Sequence, residues 1–486
     1  MTPGLIITII LIYFVGLLTI SYLTGRKADN DAFFLGNRKS PWYIVSFGMI
    51  GASLSGVTFI SVPGWVVDSQ MTYMQMVLGY LVGYAVIANV LMPLYYKLEL
   101  TSIYSYLEDR FGKVSYKTGA SFFLLSRIIG ASFRLYLVAR VLQISVFDHW
   151  GVPFWVTVML TILLIWLYTN RGGIRTIIWT DTLQTFSMLT AVILSIIFIS
   201  KSLDLNFGEM VSTISGSEYG KIFEFRDWQA GNHFVKYFFS GMFITIVMTG
   251  LDQDMMQKNL SCKNLKEAKK NMYWMSISLI PVNLIFLSLG VLLATFAVRN
   301  GIQLPEQTDD LFPLLATGGK LPQIVGITFI VGLVAAAYSS ADSALTALTT
   351  SFTVDILNSK SWEEEKLTRM RKRSHILISL VLAGVIFLFR AINNESVISA
   401  IFTVAGFTYG PLLGMFAFGL FLKKAVADKW VPLVAILSPV LAYLIKLLVE
   451  HLSGYQMGFE LLILNGMLTF LGMLVISRGS HRDHIL

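Results

Sequence analysis

The sequence predicts an all-α integral membrane protein, and three observations carry that expectation. Of its 486 residues 55% are hydrophobic and only 14% charged, with a mean hydropathy of +0.67. A soluble domain cannot hide that much apolar surface. Apolar runs long enough to cross a bilayer recur along the whole chain. Lys and Arg gather in alternate connections between those runs.

Thirteen such runs are expected as transmembrane helices, at approximately 4–24, 42–69, 74–97, 118–147, 152–169, 176–200, 233–256, 271–298, 323–356, 375–393, 396–422, 430–450 and 458–477. The first, GLIITIILIYFVGLLTISYL, lacks a basic start and a small-residue cleavage site. It reads as a retained span rather than a signal peptide. One set of connections carries Arg26, Lys27, Arg38, Lys39, Arg110, Lys113, Lys117, Arg171 and Arg175. It continues with Lys258, Lys263, Lys266, Lys269, Lys270, the cluster KLTRMRKR at 366–373, Lys423, Lys424, Lys429, Arg478 and Arg482. The opposite set has only Lys201, Lys221, Arg226, Arg299 and Lys320. The first set is therefore expected in the cytoplasm, with the N-terminus outside and the C-terminus cytoplasmic. This explains the net charge of +8 without nucleic acid. The single cysteine, Cys262, excludes an internal disulfide. The loop at 202–232 is expected to cover the outer face.

Two runs read as interrupted helices. The second contains MIGASLSGVTFISVPGW (49–65), and across this run Gly48, Gly51, Gly56 and Pro63 weaken a continuous helix. Carbonyls freed inside a membrane need partners, an ion or a polar ligand among them. Close packing through small residues is the plainer reading of the same pattern. The seventh run, YFFSGMFITIVMTGLDQDMMQKN, breaks at Gly250 and turns into Asp252, Gln253, Asp254 and Gln257. These runs lie five helices apart. Five is odd, so two five-helix units starting there insert with opposite orientation. Paired interrupted segments in inverted halves point to a transporter's midplane site.

The ninth run holds VAAAYSSADSALTALTT. Ala336, Ser339, Ser340 and Ser343 lie at i, i+3, i+4 and i+7, on one helical face. Clustered hydroxyls with carbonyls from an interrupted neighbour suit a small hard cation such as Na+. Serines bonding back to their own helix are the simpler alternative. Asp342 beside them weighs against it, because a carboxylate in a membrane is costly. Asp181, near the cytoplasmic start of the sixth run, is a second such carboxylate or else a helix cap. In the fourth run Arg127 and Arg134 share a face, to pair with carboxylates or to bind an anionic solute. Phe59, Tyr73 and Phe239 are bulky enough to gate a path, although aromatics in such helices are mostly packing.

No catalytic constellation appears. The six histidines form no HExxH and no close pair within a span, and no enzyme is expected. A receptor with a signalling domain is not expected either, since only SRGSHRDHIL follows the last run.

Six stretches in order resemble the sodium:solute symporter family, whose members carry sugars, sialic acid, proline, monocarboxylates and iodide. They are GASLSGVTFISVPGW, TSIYSYLEDRFG (101–112), NRGGIRTIIWTDTLQ (170–184), DQDMMQKNLSCKNLKEA (252–268), AAAYSSADSALTALTTSFTVDIL (335–357) and YGPLLGMFAFGLFLKKA (409–425). The bacterial sialic acid branch looks nearest. The resemblance implies a LeuT-type fold and a single transporter domain over 1–486. Within it, 4–24 is an extra helix, 42–200 and 233–422 are the inverted repeats, and 430–477 are extra C-terminal helices. It implies Na+-coupled uptake of a small polar solute, such as a sugar or sialic acid, by alternating access across a bacterial inner membrane. No obligatory protein partner is implied. A proton-coupled or Na+-independent carrier of an amino acid or carboxylate is the alternative, suggested by Asp342.

The resemblance also implies site residues. The first Na+ site would use carbonyls matching Gly51 and Leu54, with Ala336, Ser339 and Ser340. A second cation site would use Asp181, Ser339, Asp342 and Ser343, with Asp342 standing where a serine is expected. Asp342 would strengthen that site, bind a proton, or pair with an arginine of the fourth run. Solute contacts would include Ser53, Ser55 and Thr58, joined by Tyr73 and Gln75 and by Arg127 or Arg134. The branch's carboxylate-binding arginine aligns with Gly130, and its glutamine with Val77. Sialic acid itself is weakened as the solute by both departures.

Overall fold

A computed structural model describes residues 2–25, 38–100, 102–359, 362–392 and 396–480. Arg26, Lys27 and Arg482, counted above as cytoplasmic, lie outside the described residues, as do the side chains of Arg171 and Arg175.

Among the described residues each of the thirteen apolar runs is largely helical, some of them over two or more consecutive helices. Among the described residues, eight helical stretches are long and apolar enough to cross a membrane, or up to ten when two bent pairs each count as one span, fewer than the thirteen expected. Two shorter apolar helices, Phe154–Leu167 and Leu461–Val475, add to these. The fifth and sixth runs differ from expectation, because helix continues through their connection in one 49-residue element, Phe154–Ser202.

The second span, Trp42–Ser69, is broken at Ser55, which sits at φ 55 and ψ 176. Glycine takes such backbone readily and other residues rarely do. The Ser55 hydroxyl accepts from the Val57 N–H at 3.3 Å. That amide would otherwise serve the carbonyl of Ser53. Gly51 and Leu54 lie in the last turn before this break.

The seventh span bends by 66° between Phe234–Gly250 and Gln253–Leu260. A π-helical turn at Ile246–Gly250 leads into Leu251, and Asp252 then caps the second half. Its carboxylate accepts from the Asp254 and Met255 N–H groups at 3.0 and 3.4 Å. The eleventh span is also bent, by 46° between Val397–Thr408 and Gly410–Phe421. Gly410 and Pro411 open its second half, and the sequence reading did not single them out.

Packing brings the second, sixth and ninth spans together. A methyl on Gly51 would collide with the Thr185 hydroxyl, so only glycine lets these helices approach so closely. Asp428 accepts from the Val114 N–H, the Ser115 N–H and the Ser115 hydroxyl at 3.0, 2.7 and 2.5 Å. It thereby caps the fourth span, Lys113–Leu142, from a connection more than 300 residues away. A short antiparallel ribbon, Lys424–Val426 with Ser477–Ser480, was not expected. The helix Phe207–Gly216 begins with a reciprocal cap between Asn206 and Glu209.

Candidate solute and ion site

A cavity of about 100 Å³ opens at the break of the second span. Ser53, Ser55, Thr58, Tyr73, Arg127 and Arg134 all line it, as the sequence reading expected of solute contacts. Tyr80, Tyr84 and Asn283 line it too and were missed. Tyr73, Tyr80 and Tyr84 lie at i, i+7 and i+11, a single helical stripe, so this signal was available. The Tyr73 and Tyr80 hydroxyls are 2.9 Å apart, and Tyr84 approaches Ser53 at 3.4 Å. Asn283 donates to the Leu279 carbonyl, which leaves its buried amide oxygen without a partner.

Gln75 is a correction. It does not line the cavity. Its amide nitrogen donates to the Asn232 carbonyl and its amide oxygen accepts from the Glu224 N–H, each at 2.9 Å. With both ends of the amide engaged, Gln75 anchors the loop at 202–232. Two gate candidates are corrected as well. Phe59 is fully buried among Phe286, Phe312 and Phe329, which is packing. Phe239 is 46% exposed and does not line the cavity. Tyr73 remains at the cavity, stacked with Phe402 beneath Trp65.

The two arginines part company. Arg127 bonds Asp254 and stands 3.7 Å from Asp252. Asp252 also accepts from the Tyr409 hydroxyl at 2.8 Å. Among the described residues no carboxylate pairs with Arg134, and its buried Nε has no hydrogen-bond partner.

The residues expected at the first Na+ site come from the second and ninth spans, which meet at the break. A methyl on Gly56 would stand 3.8 Å from the Ala337 nitrogen and 3.9 Å from the Ala336 carbonyl carbon. The Ser340 hydroxyl bonds back to the Ala336 carbonyl at 3.3 Å. The Ser339 hydroxyl instead donates to Asp181 at 2.7 Å. Carbonyls and neutral hydroxyls are hard oxygen donors and fit Na+. Asp342 is fully buried and accepts from the Ser343 N–H at 2.5 Å and its hydroxyl at 3.2 Å.

Lys258 overturns one sequence assignment. Counted above as a cytoplasmic loop charge, it is 1% exposed and its ammonium stands 2.8 Å from Asp181.

The short turn Thr308–Asp310 ties several spans together. Thr308 donates to Asp68 at 3.1 Å, Asp309 accepts from the Val397 N–H at 2.8 Å, and Asp310 pairs with Arg140 at 2.6 Å. This short strap thus links the second, fourth and eleventh spans. Burial pushes the Asp309 carboxyl up to about 6.

The family model described as "Sodium:solute symporter family" matches residues 33–428. The chain belongs to the sodium:solute symporter family. This symporter is 27% identical over 416 residues to the sodium/sialic acid symporter NanT of Aliivibrio fischeri, covering 84% of this chain and 81% of that one. It is 26% identical over 437 residues to the sodium/sialic acid symporter SiaT of Proteus mirabilis, covering 87% and 85%. Among solved structures, a Na+-coupled sialic acid symporter in a substrate-bound, outward-open state superposes with a TM-score of 0.81 at 21% identity, covering 97% of this chain and 98% of that one. A nucleobase-cation-symport-1 family transporter gives 0.58 at 14% identity, covering 90% and 92%. These likenesses are of fold, and they bear out the all-α, LeuT-type membrane architecture. The symporter is a membrane transporter that couples a small solute to Na+, and not an enzyme.

Proposed function

We propose that this symporter imports a small polar solute bearing a negative charge, a sialic acid-like sugar acid, together with Na+. The observation that carries this is Arg134. It lines the cavity without a carboxylate among the described residues. A buried cation there is costly unless a ligand completes it. The hydroxyls of Ser53, Thr58, Tyr73, Tyr80 and Tyr84 line the same cavity and suit a polyol. The sialic acid symporters among its relatives support the same class.

Na+ binds the carbonyls of Gly51, Leu54 and Ala336 and the hydroxyls of Ser339 and Ser340. It thereby joins the broken second span to the ninth. The solute binds on the other side of the break, against Ser53, Ser55 and Thr58, with its anionic group on Arg134. Each ligand favours the geometry the other needs, and that is the source of coupling. The repeats at 42–200 and 233–422 move against one another, and release follows on the inside. The N-terminus lies outside and the C-terminus in the cytoplasm of a bacterial inner membrane, and the chain works without an obligatory protein partner.

Uptake into proteoliposomes tests this, with sialic acid, neutral sugars, amino acids and small carboxylates each offered in Na+ or K+. Accumulation of an acidic sugar only in Na+ is expected, lost in Arg134→Ala. Accumulation of a neutral solute unaffected by that substitution would refute it. Uptake that follows pH and ignores Na+ would favour the proton-coupled reading through Asp342.

A further inference from the structure

Asp181 is 1% exposed at the meeting of three helices. A carboxylate in that position costs several kcal/mol unless a positive charge or strong donors accompany it. A mobile cation can supply that charge, or the chain can. Here the chain does. The Lys258 ammonium, from the inner half of the bent seventh span, stands 2.8 Å from Asp181 Oδ2. The Ser339 hydroxyl, from the ninth span, donates to Asp181 Oδ1 at 2.7 Å. Both oxygens of the carboxylate are therefore engaged by protein groups. Asp254 and Asp342 also act on the Lys258 charge.

We infer that Lys258 is a tethered cation, whose ammonium holds the place beside Asp181 that a second Na+ would take, so that the symporter binds a single Na+. This rests on the first Na+ site proposed above and removes the second cation site at Asp181, Ser339, Asp342 and Ser343. The arrangement also orients the first site. A serine hydroxyl has one proton and two lone pairs. Because Ser339 gives its proton to Asp181, its lone pairs are left for Na+. The Lys258–Asp181 pair then fixes a ligand of the bound ion while tying the inner half of the seventh span to it.

Equilibrium binding of radioactive 22Na+ to the purified chain in detergent tests this without any solute. The wild type is expected to saturate at one Na+ per chain, Lys258→Arg at one and Lys258→Ala at two. Two ions on the wild type, or only one on a folded Lys258→Ala, would overturn the inference. If Lys258→Ala does not fold, the double variant Lys258→Gln with Asp181→Asn keeps a hydrogen bond without either charge. It is expected to saturate at one, and two ions there would overturn the inference equally. A wild type that binds none would instead strike the sodium-site reading itself, an outcome distinct from a count of two.

Discussion

Arg127 and Arg134 share one helical face, yet their surroundings set them apart. Carboxylates on the seventh span, more than 115 residues along the chain, neutralise Arg127 and leave Arg134 at the cavity wall. Such distant partners leave no mark on the fourth span's own sequence, so pairing and solute binding stayed open there. The same holds for Lys258. A lysine just past an apolar run reads as a loop charge, and only the fold reveals Asp181 beside it. The face formed by Ala336, Ser339 and Ser340 was legible, because helical periodicity alone places those residues together. Removing one partner of a buried charged contact typically costs 2–5 kcal/mol. Arg134→Ala is therefore expected to weaken binding of an acidic solute about a hundredfold or more, measured by competition for uptake, while binding of 22Na+ persists. Ser340→Ala removes a hydroxyl from the ion site. It is expected to raise the Na+ concentration for half-maximal uptake by about tenfold, at roughly 1.4 kcal/mol for a tenfold change.

The two interruptions were legible to different degrees. In the seventh span, Gly250 followed by DQD announces a helix stop and a new cap, and the bend falls there. In the second, the glycines and Pro63 announced weakness without its place. The break is at Ser55, whose positive φ has no sequence signature because serine ordinarily avoids it. Such backbone costs about 1–3 kcal/mol. Ser55→Gly is expected to raise thermal stability by about 1 kcal/mol, measured by thermal unfolding in detergent, while weakening solute uptake through the lost hydroxyl. The fourth span offers the opposite case. Asp428→Ala removes its cap and is expected to lower stability by about 1–2 kcal/mol. Asp428→Asn is expected to recover part of that, since an amide oxygen still accepts.

For the molecule as a whole, hydropathy and alternating charge were enough to give the class, and the glycines and polar residues within two apolar runs pointed to the spans that are broken. The strap was not legible, because Thr308, Asp309 and Asp310 reach three different spans across a short polar loop. Its pH response belongs to this scale. A carboxyl whose folded pKa lies above its unfolded value stabilises the fold only while it keeps its proton. For Asp309, raised by burial to about 6, that contribution is whole below about pH 4 and is lost as the pH rises to about 6. Thermal unfolding is expected to show a loss of about 2 kcal/mol across that window. Asp309→Asn is expected to flatten it, and an unchanged slope in that variant would assign the effect elsewhere.

The tethered ammonium of Lys258 reaches beyond the ion site to the energetics of the membrane. Its charge stays with the protein, so an acidic solute crossing with one Na+ moves no net charge. Uptake would then be electroneutral. Each charge moved across 100 mV exchanges about 2.3 kcal/mol with the membrane potential, and this pair of cargoes would exchange none. A vesicle clamped to zero potential and one clamped inside-negative should then accumulate the solute alike, and only the sodium gradient would set the limit.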